Sequence, residues 1–156
     1  MPVAMQSKLI ISDTSCFITL SNIGELDLLR LLYKQIVTTP EVAEEFGESL
    51  PEWVEIIAVS DKAKQELLEM QVDKGEASAI ALALESENSF LIIDDNKARK
   101  LAHNLRLDVT GTIGVIVAAK QKGIISRVKP VLQKIKETNF RISAELELQA
   151  LLQANE

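Results

Sequence analysis

Short apolar runs alternate along this chain with longer segments in which apolar residues recur every three or four positions. The short runs, rich in Ile, Val, Leu and Thr, predict strands, and the longer segments predict helices. Strands are expected at residues 9–12, 35–39, 90–93 and 107–109, with a fifth extended segment at 53–59. Helices are expected at residues 17–23, 25–33, 41–48, 61–70, 76–86, 96–105, 115–122, 126–137 and 143–153.

This alternation predicts an α/β protein in which four or five strands form a mostly parallel sheet with helices on both faces. With 156 residues, 47% of them hydrophobic, the chain is long enough for one domain with a substantial core. We expect that domain at residues 8–145, after a flexible leader at residues 1–7. Residues 146–156 are expected to complete the last helix and a short tail of the same domain.

Composition excludes several classes of site. The single cysteine, Cys16, cannot form an internal disulfide framework or a thiolate metal site, and its apolar neighbours predict a place in the core. No apolar run is long enough to span a membrane, and the first residues do not resemble a signal peptide. These features predict a cytoplasmic protein with no membrane partner.

Three local signals define where helices begin. Thr39 is expected to cap a helix that has Pro40 at its first position. Residues 73–75 are expected to form a turn, after which Glu76 opens the next helix. Residues 110–114 are expected to form a second turn, before the apolar helix at residues 115–122.

The first strand run ends at Asp13, which two hydroxyl residues, Thr14 and Ser15, follow. In parallel sheets, residues just beyond the carboxyl ends of strands handle ligands. Asp13 therefore has two interpretations of similar weight: a ligand residue at the sheet edge, or a local hydrogen-bond acceptor in a turn or helix cap.

Other acidic residues occupy positions that a parallel sheet would bring to the same edge. Asp94 and Asp95 follow the strand at residues 90–93, Glu45 lies on the helix after the second strand, and Glu76 opens a helix. Carboxylates gathered there would repel one another unless they were protonated or neutralised. A hard divalent cation such as Mg²⁺ or Mn²⁺ neutralises them, and no basic residue lies within these motifs.

Each of these acids also has a purely structural explanation. Glu76 can stabilise the helix macrodipole, Asp95 can cap the helix that begins at Asn96, and Glu45 can belong to a solvated acidic face. The single histidine, His103, has no partner at a ligand spacing, so a histidine-based triad or zinc site is excluded. Gly111 and Gly114 lack the lysine and the spacing of a phosphate-binding loop.

The net charge of −6 is distributed unevenly. Residues 1–96 carry 6 basic and 18 acidic side chains, whereas residues 97–141 carry 11 basic and 2 acidic ones. This asymmetry suggests an acidic site beside a basic surface that attracts a polyanion. The alternative is that the lysines cluster on ordinary solvated helix faces.

Taken in order, four of these motifs resemble those of the PIN-domain ribonucleases over residues 8–145. The motifs are Ile11-Ser12-Asp13-Thr14-Ser15, Thr39-Pro40-Glu41-Val42-Ala43-Glu44-Glu45-Phe46, Gly75-Glu76-Ala77-Ser78-Ala79-Ile80-Ala81-Leu82-Ala83 and Ile93-Asp94-Asp95. Further along, Arg99, Thr110-Gly111-Thr112-Ile113-Gly114 and Ala119-Lys120-Gln121-Lys122-Gly123 resemble a prokaryotic branch that includes VapC-type toxins of toxin–antitoxin pairs.

The resemblance implies a three-layer α/β/α fold, a homodimer and a metal-dependent endoribonuclease that a small antitoxin protein holds inactive. It places the catalytic acids at Asp13, Glu45, Glu76 and either Asp94 or Asp95. Of these, Asp13, Glu76, Asp94 and Asp95 would hold Mg²⁺ or Mn²⁺. Thr14 and Ser15 would support Asp13. The chain departs from the family pattern in having Glu rather than Asp at position 76, which lengthens a ligand arm.

For an RNA substrate, we expect phosphate contacts from the basic segment, at Lys97, Arg99, Lys100 and Lys120. Two other functions remain open. One is a non-catalytic module that keeps the fold and binds RNA or protein. The other is a receiver-like domain that accepts a phosphoryl group on Asp, against which the doubled acid after the middle strand argues.

Overall fold

Five short strands, rich in apolar and β-branched residues, form one all-parallel sheet in the computed structural model of this protein. The structure describes residues 8–156, so the predicted leader at residues 1–7 lies outside the described residues. The strands are β1 (Leu9–Ser12), β2 (Ile36–Thr38), β3 (Val54–Ile56), β4 (Ser89–Ile92) and β5 (Asp108–Thr110). Their spatial order is β3-β2-β1-β4-β5, which places β1 at the centre.

The helices lie between and after the strands. They are α1 (Thr14–Asn22), α2 (Asp27–Tyr33), α3 (Pro40–Phe46), α4 (Lys62–Leu68), α5 (Lys74–Leu84), α6 (Asn96–Asn104), α7 (Thr112–Gln121), α8 (Lys129–Lys136) and α9 (Ala144–Gln153). None of the helices formed by residues 8–156 is long and apolar enough to cross a membrane.

Successive side chains of each strand point to opposite faces of the sheet, so each face carries its own core. On β1, Ile10 belongs to one apolar cluster and Ile11 to the other. The first cluster packs the sheet against α1, α2, α3, α7, α8 and α9, and Cys16 is buried within it. The second packs the opposite face against α4, α5 and α6. The predicted three-layer α/β/α sandwich is confirmed.

Small residues make the second layer thin. The central part of α5, from Ala77 to Ala83, is buried on all sides, and five of its residues are Ala or Ser. Such short side chains let the helix backbone approach the sheet closely. The N-terminus of α5 thereby lies beside the carboxyl ends of the central strands.

Four predicted helix starts are wrong: α1 and α8 begin at Thr14 and Lys129 instead of residues 17 and 126, and two predicted turns belong to helices. Residues 73–75 do not form a turn before the helix, because α5 already begins at Lys74 with Asp73 as its N-cap. The turn predicted at residues 110–114 is also too long, because α7 begins at Thr112. In both cases a glycine inside the first helical turn suggested a loop, although the first turn tolerates glycine well. By contrast, the predicted Thr39 cap is confirmed, since its hydroxyl accepts from Val42 N at 3.2 Å.

Strand topology brings the functional motifs together. From β1 the chain moves to β2 and β3 on one side of the sheet, and then returns to β4 on the other side. The crevice between β1 and β4 is therefore the switch point at which open α/β sheets bind ligands. Ser12 is in register with Ile92, and Asp13 N donates to Ile92 O at 2.9 Å, so Asp13 and Asp94 leave the sheet side by side.

The core of the central strand predicts a strong dependence of stability on Ile11, which is fully buried between Val37 and Leu91 of the two neighbouring strands. We expect Ile11→Ala to lower the free energy of unfolding by about 2–5 kcal/mol, because it removes buried methylenes and leaves a cavity. The control is Ile56→Ala on β3, where half of the side chain is exposed. Urea unfolding should show a loss for this control below about 1 kcal/mol; equal losses would contradict the assigned core.

Candidate functional site

A cleft of about 640 Å³ opens at the carboxyl edge of the sheet, at the switch point between β1 and β4. Its lining comes from five separate parts of the chain: α1, α3, the start of α5, the residues after β4 and the segment between α8 and α9. Six carboxylates line this acidic cleft: Asp13, Glu45, Asp73, Glu76, Asp94 and Asp95.

Asp13 is the most deeply placed of the six. The residue is 5% exposed, and its Oδ1 has no hydrogen-bond partner. The neighbouring Thr14 is also buried, and its Oγ1 likewise lacks a partner. Buried polar atoms in proteins are almost always hydrogen-bonded, so two adjacent unpartnered oxygens beside a cleft point to a ligand that binds oxygen.

The protonation of Asp13 follows from this setting. Burial raises the pKa of Asp13 to about 8, against the lowering effect of a hydrogen bond from the Thr14 backbone. The negative charges of Glu76, Asp73 and Glu45 raise that pKa further. The carboxyl group therefore carries a proton at neutral pH unless a cation replaces it.

Glu76 lies near the start of α5, where it forms a capping box with Asp73. Asp73 Oδ1 accepts from Glu76 N at 2.8 Å, and Glu76 Oε1 accepts from Asp73 N at 3.2 Å. The structural explanation of Glu76 is thus correct in part, but the cap uses only one of its two carboxylate oxygens. Burial raises the pKa of Glu76 to about 7, and the charges of Asp73 and Asp95 add to the effect.

Glu45 reaches the cleft from α3 because Gly75 leaves room for it. A Cβ at position 75 would lie 3.3 Å from Glu45 Oε1 and 3.6 Å from both Asp73 Oδ1 and Thr14 Oγ1. Side-chain oxygens of Glu45, Asp73 and Thr14 therefore lie close to the backbone of Gly75. The expected solvated acidic face is correct only in part, because Glu44 is exposed whereas Glu41 is half-buried and accepts from Gln65 Nε2.

The two acids after β4 hold the starts of two helices. Asp94 accepts from Thr112 N at 2.7 Å and from Thr112 Oγ1 at 2.6 Å. It thus caps the N-terminus of α7, although it lies after β4 and not next to that helix in sequence. Asp95 Oδ2 accepts from Ala98 N at 3.0 Å as the N-cap of α6. Both acids line the acidic cleft, and the geometry does not favour one of them over the other as a cation ligand.

No basic side chain of residues 8–156 forms an ion pair with a carboxylate of this cleft, although Arg141 also lines it. None of the seven ion pairs formed within residues 8–156 involves any of the six carboxylates. In the same part of the chain, no three His, Cys, Asp or Glu side chains are arranged to hold a metal ion as they stand. The donors fit a hard cation by their chemistry and by the unpartnered Asp13 oxygen, but their caps keep them apart in this conformation.

Among the predicted supporting and phosphate-binding residues, Ser15 lines the acidic cleft beside Thr14. Lys97 and Lys100 are exposed on α6, and Arg99 lies next to Asp94 at the glycine that precedes α7. The structure does not bring Lys120 to the cleft. Its Nζ donates to Ala154 O and pairs with Glu156 at 3.2 Å.

Several cleft residues are not predicted from the sequence, among them Asp73, Phe140 and Arg141. The predicted turn at residues 73–75 hides the role of Asp73, although the spacing Asp73-x-x-Glu76 before an apolar run is the signature of a capping box. Arg141 lies at the mouth of the cleft, in the segment between α8 and α9. No local sequence signal marks Arg141, because only the tertiary fold brings that segment to the sheet edge.

A family model for DUF3368, described as a PIN domain, matches residues 9–156, which is nearly the whole chain. The chain belongs to the PIN-domain family. PIN domains are generally nucleases and typically use divalent metal ions, so a nuclease-type fold agrees with the acidic cleft. No curated protein matches this PIN domain.

The buried Asp13 predicts that the metal-free PIN domain loses stability as pH rises. The folded protein holds a proton on Asp13 that the unfolded chain releases, because the pKa is about 8 when folded and 3.8 when unfolded. The contribution of this group to the free energy of unfolding therefore falls between these two pH values. Asp13→Asn removes the ionisable group, and with it the free energy needed to ionise a buried carboxyl group at high pH. We therefore expect this variant to be more stable than the wild type at pH 8 by on the order of 2–4 kcal/mol.

Thermal unfolding in EDTA at pH 5 and pH 8 checks this expectation, with Glu48→Gln as the control. Glu48 is an exposed acid just beyond the end of α3, and its replacement should leave the pH dependence unchanged. If Asp13→Asn were destabilising at pH 8, the carboxylate would not be an uncompensated buried charge.

Proposed function

We propose that this PIN domain is a metal-dependent endoribonuclease that hydrolyses RNA phosphodiester bonds in the acidic cleft. The observation that carries the proposal is the buried, unpartnered carboxylate of Asp13, which faces five further carboxylates. A protein gains no stability from such an arrangement. A bound cation that takes oxygen ligands would explain why these carboxylates are gathered around Asp13.

Asp13, Glu76 and one of Asp94 and Asp95 are proposed to hold Mg²⁺ or Mn²⁺. When bound, the ion would supply a Lewis acid that lowers the pKa of a water molecule and offsets charge on the phosphate. Glu45 would complete the ligand set or orient the attacking water.

The remaining residues of the cleft position Asp13 and the substrate. Thr14 and Ser15, at the start of α1, would support the Asp13 carboxylate. Because the acidic cleft repels phosphate, the substrate backbone needs cationic contacts next to it. Lys97, Arg99 and Lys100 on α6 are proposed for that role. The ion pair of Lys120 with Glu156 supports leaving Lys120 out of the contact set.

The order of the sequence motifs supports a narrower proposal, that the protein is the cytoplasmic toxin of a toxin–antitoxin pair and acts as a homodimer. A small antitoxin protein, encoded next to this chain, would then hold the nuclease inactive. Co-expression with the product of a neighbouring small reading frame tests this: the two should co-purify, and the pair should lack ribonuclease activity. Full activity of a co-purified pair would contradict an inhibitory partner.

Cleavage itself is predicted to depend on Asp13 and on a divalent cation. With unstructured RNA and Mn²⁺ or Mg²⁺, Asp13→Asn and Glu76→Gln should each lower the cleavage rate by about 100-fold or more, because each removes an anionic ligand. EDTA should abolish cleavage, and added Mn²⁺ should restore it. Gel analysis of end-labelled RNA measures these rates.

The matched control is Glu48→Gln, which removes an equal charge from the α3 region outside the cleft and should cleave like the wild type. If Asp13→Asn cleaved RNA as fast as the wild type, the proposed site would be wrong. If the wild type bound RNA without cleaving it under any metal condition, the non-catalytic module would replace the nuclease. Stable phosphorylation of Asp13 by a small phosphodonor would instead indicate the receiver-like function.

A further inference from the structure

A second cleft, of about 840 Å³, adjoins the acidic cleft. Its lining comes from the first turns of α6 and α7, from α9 and from the segment that precedes α9. Asp94, Asn96, Phe140 and Arg141 line both clefts, so the two are continuous. A polymer held in the acidic cleft can therefore extend into the second one, a space that the proposed hydrolysis does not itself require.

Two arginines without ion-pair partners line this second cleft. Arg99 and Arg141 take part in none of the seven ion pairs found among residues 8–156. Neither Asp94 nor Glu145 forms an ion pair with either arginine in the described part of the chain, although Asp94 lies close to Arg99 at Gly111. Unpaired guanidinium groups in a cleft are suited to binding phosphate.

The position of Arg99 is set by Gly111. A Cβ at position 111 would lie 2.5 Å from Arg99 Nη1 and 2.8 Å from Asp94 Oδ1, so any larger residue would displace both groups. Gly111 thus leaves the space that the guanidinium occupies in the second cleft, beside Asp94, which lines both clefts. A phosphate of a strand that enters the second cleft would meet Arg99 there.

Phe140 forms an aromatic wall at the boundary between the two clefts. The residue is half-buried, and neither of the two aromatic pairs formed by residues 8–156 includes its ring. The backbone before it is fixed by Thr138, whose hydroxyl donates to Ile135 O at 2.6 Å and accepts from Phe140 N at 3.1 Å. The ring packs against the first apolar cluster and lines the same cleft as the two arginines, a setting suited to stacking an unpaired base.

We infer that the second cleft is a nucleotide subsite, in which Phe140 stacks the base next to the cleaved bond and Arg141 and Arg99 bind its flanking phosphates. The inference rests on the proposed function, because it assumes that RNA enters the acidic cleft. Phe140 and Arg141 are positioning residues that align the strand. A peptide ligand is less favoured, because two unpaired arginines and a ring lie where a strand leaves a phosphodiester-cleaving site.

Binding of a short, unstructured, fluorescently labelled RNA in EDTA tests the subsite without cleavage. We expect Phe140→Ala to weaken binding about ten-fold with an unchanged salt dependence, because stacking is not ionic. Phe140→Trp should restore binding. Arg141→Ala should also weaken binding and lower the slope of log K against log salt concentration by about 1, whereas Lys122→Ala, with the same charge change at the far end of α7, should not.

Two results would overturn the subsite: wild-type affinity in both Phe140→Ala and Arg141→Ala, or an equal loss in Phe140→Trp and Phe140→Ala when both unfold at the wild-type temperature. A peptide-binding cleft would give the first of these results. Cleavage of the same RNA with Mn²⁺ separates this inference from the proposed function. Weakened binding in the variants with no cleavage by the wild type would leave the subsite standing and reject the nuclease.

Discussion

The arrangement around the acidic cleft depends on one unfavourable interaction, the burial of the Asp13 carboxylate without a partner for its Oδ1. Burying this carboxyl group costs free energy, because it must either be ionised away from water or hold a proton with Oδ1 unpartnered, and a domain of this size is stable by only about 5–15 kcal/mol. The strand before Asp13, β1, is the central strand and has an apolar cluster on each face, which offsets this cost. The surrounding acids disfavour the ionised form of Asp13 further.

The other acids of the cleft combine structural and chemical roles. Glu76 and Asp73 cap α5, Asp95 caps α6, and Asp94 holds the start of α7 through Thr112. Three helices thus begin at one place, and each presents its positive N-terminal end to a carboxylate. These caps fix where the carboxylates lie before any ligand binds. Among residues 8–156, no three of the acids are arranged as a ready-made set of metal ligands.

The fold and the central acids could be predicted from sequence because both follow from local patterns. Buried strands are short apolar runs, and a carboxylate directly after such a run lies at the sheet edge whatever the rest of the chain does. Asp73, Arg141 and Phe140 could not be found in this way. Asp73 was hidden by the glycine after Lys74, which suggested a turn, while residues 138–141 reach the cleft only through the packing of α8 and α9 on the sheet. The ion pair of Lys120 with Glu156 could not be predicted either, because the two residues lie far apart along the chain.

The central claim is that a divalent cation replaces the proton on Asp13. Calorimetric titration of Mn²⁺ in two buffers of different ionisation enthalpy measures it most directly, because the difference in heat gives the number of protons released on binding. With the pKa of Asp13 at about 8 and that of Glu76 at about 7, binding at pH 7 should release about one proton or more, and the release should fall towards zero above pH 9. Asp13→Asn should lose most of the affinity, and its proton release at pH 7 should fall to the share that Glu76 contributes. Mn²⁺ binding of equal strength in wild type and Asp13→Asn, with no proton released, would contradict the account.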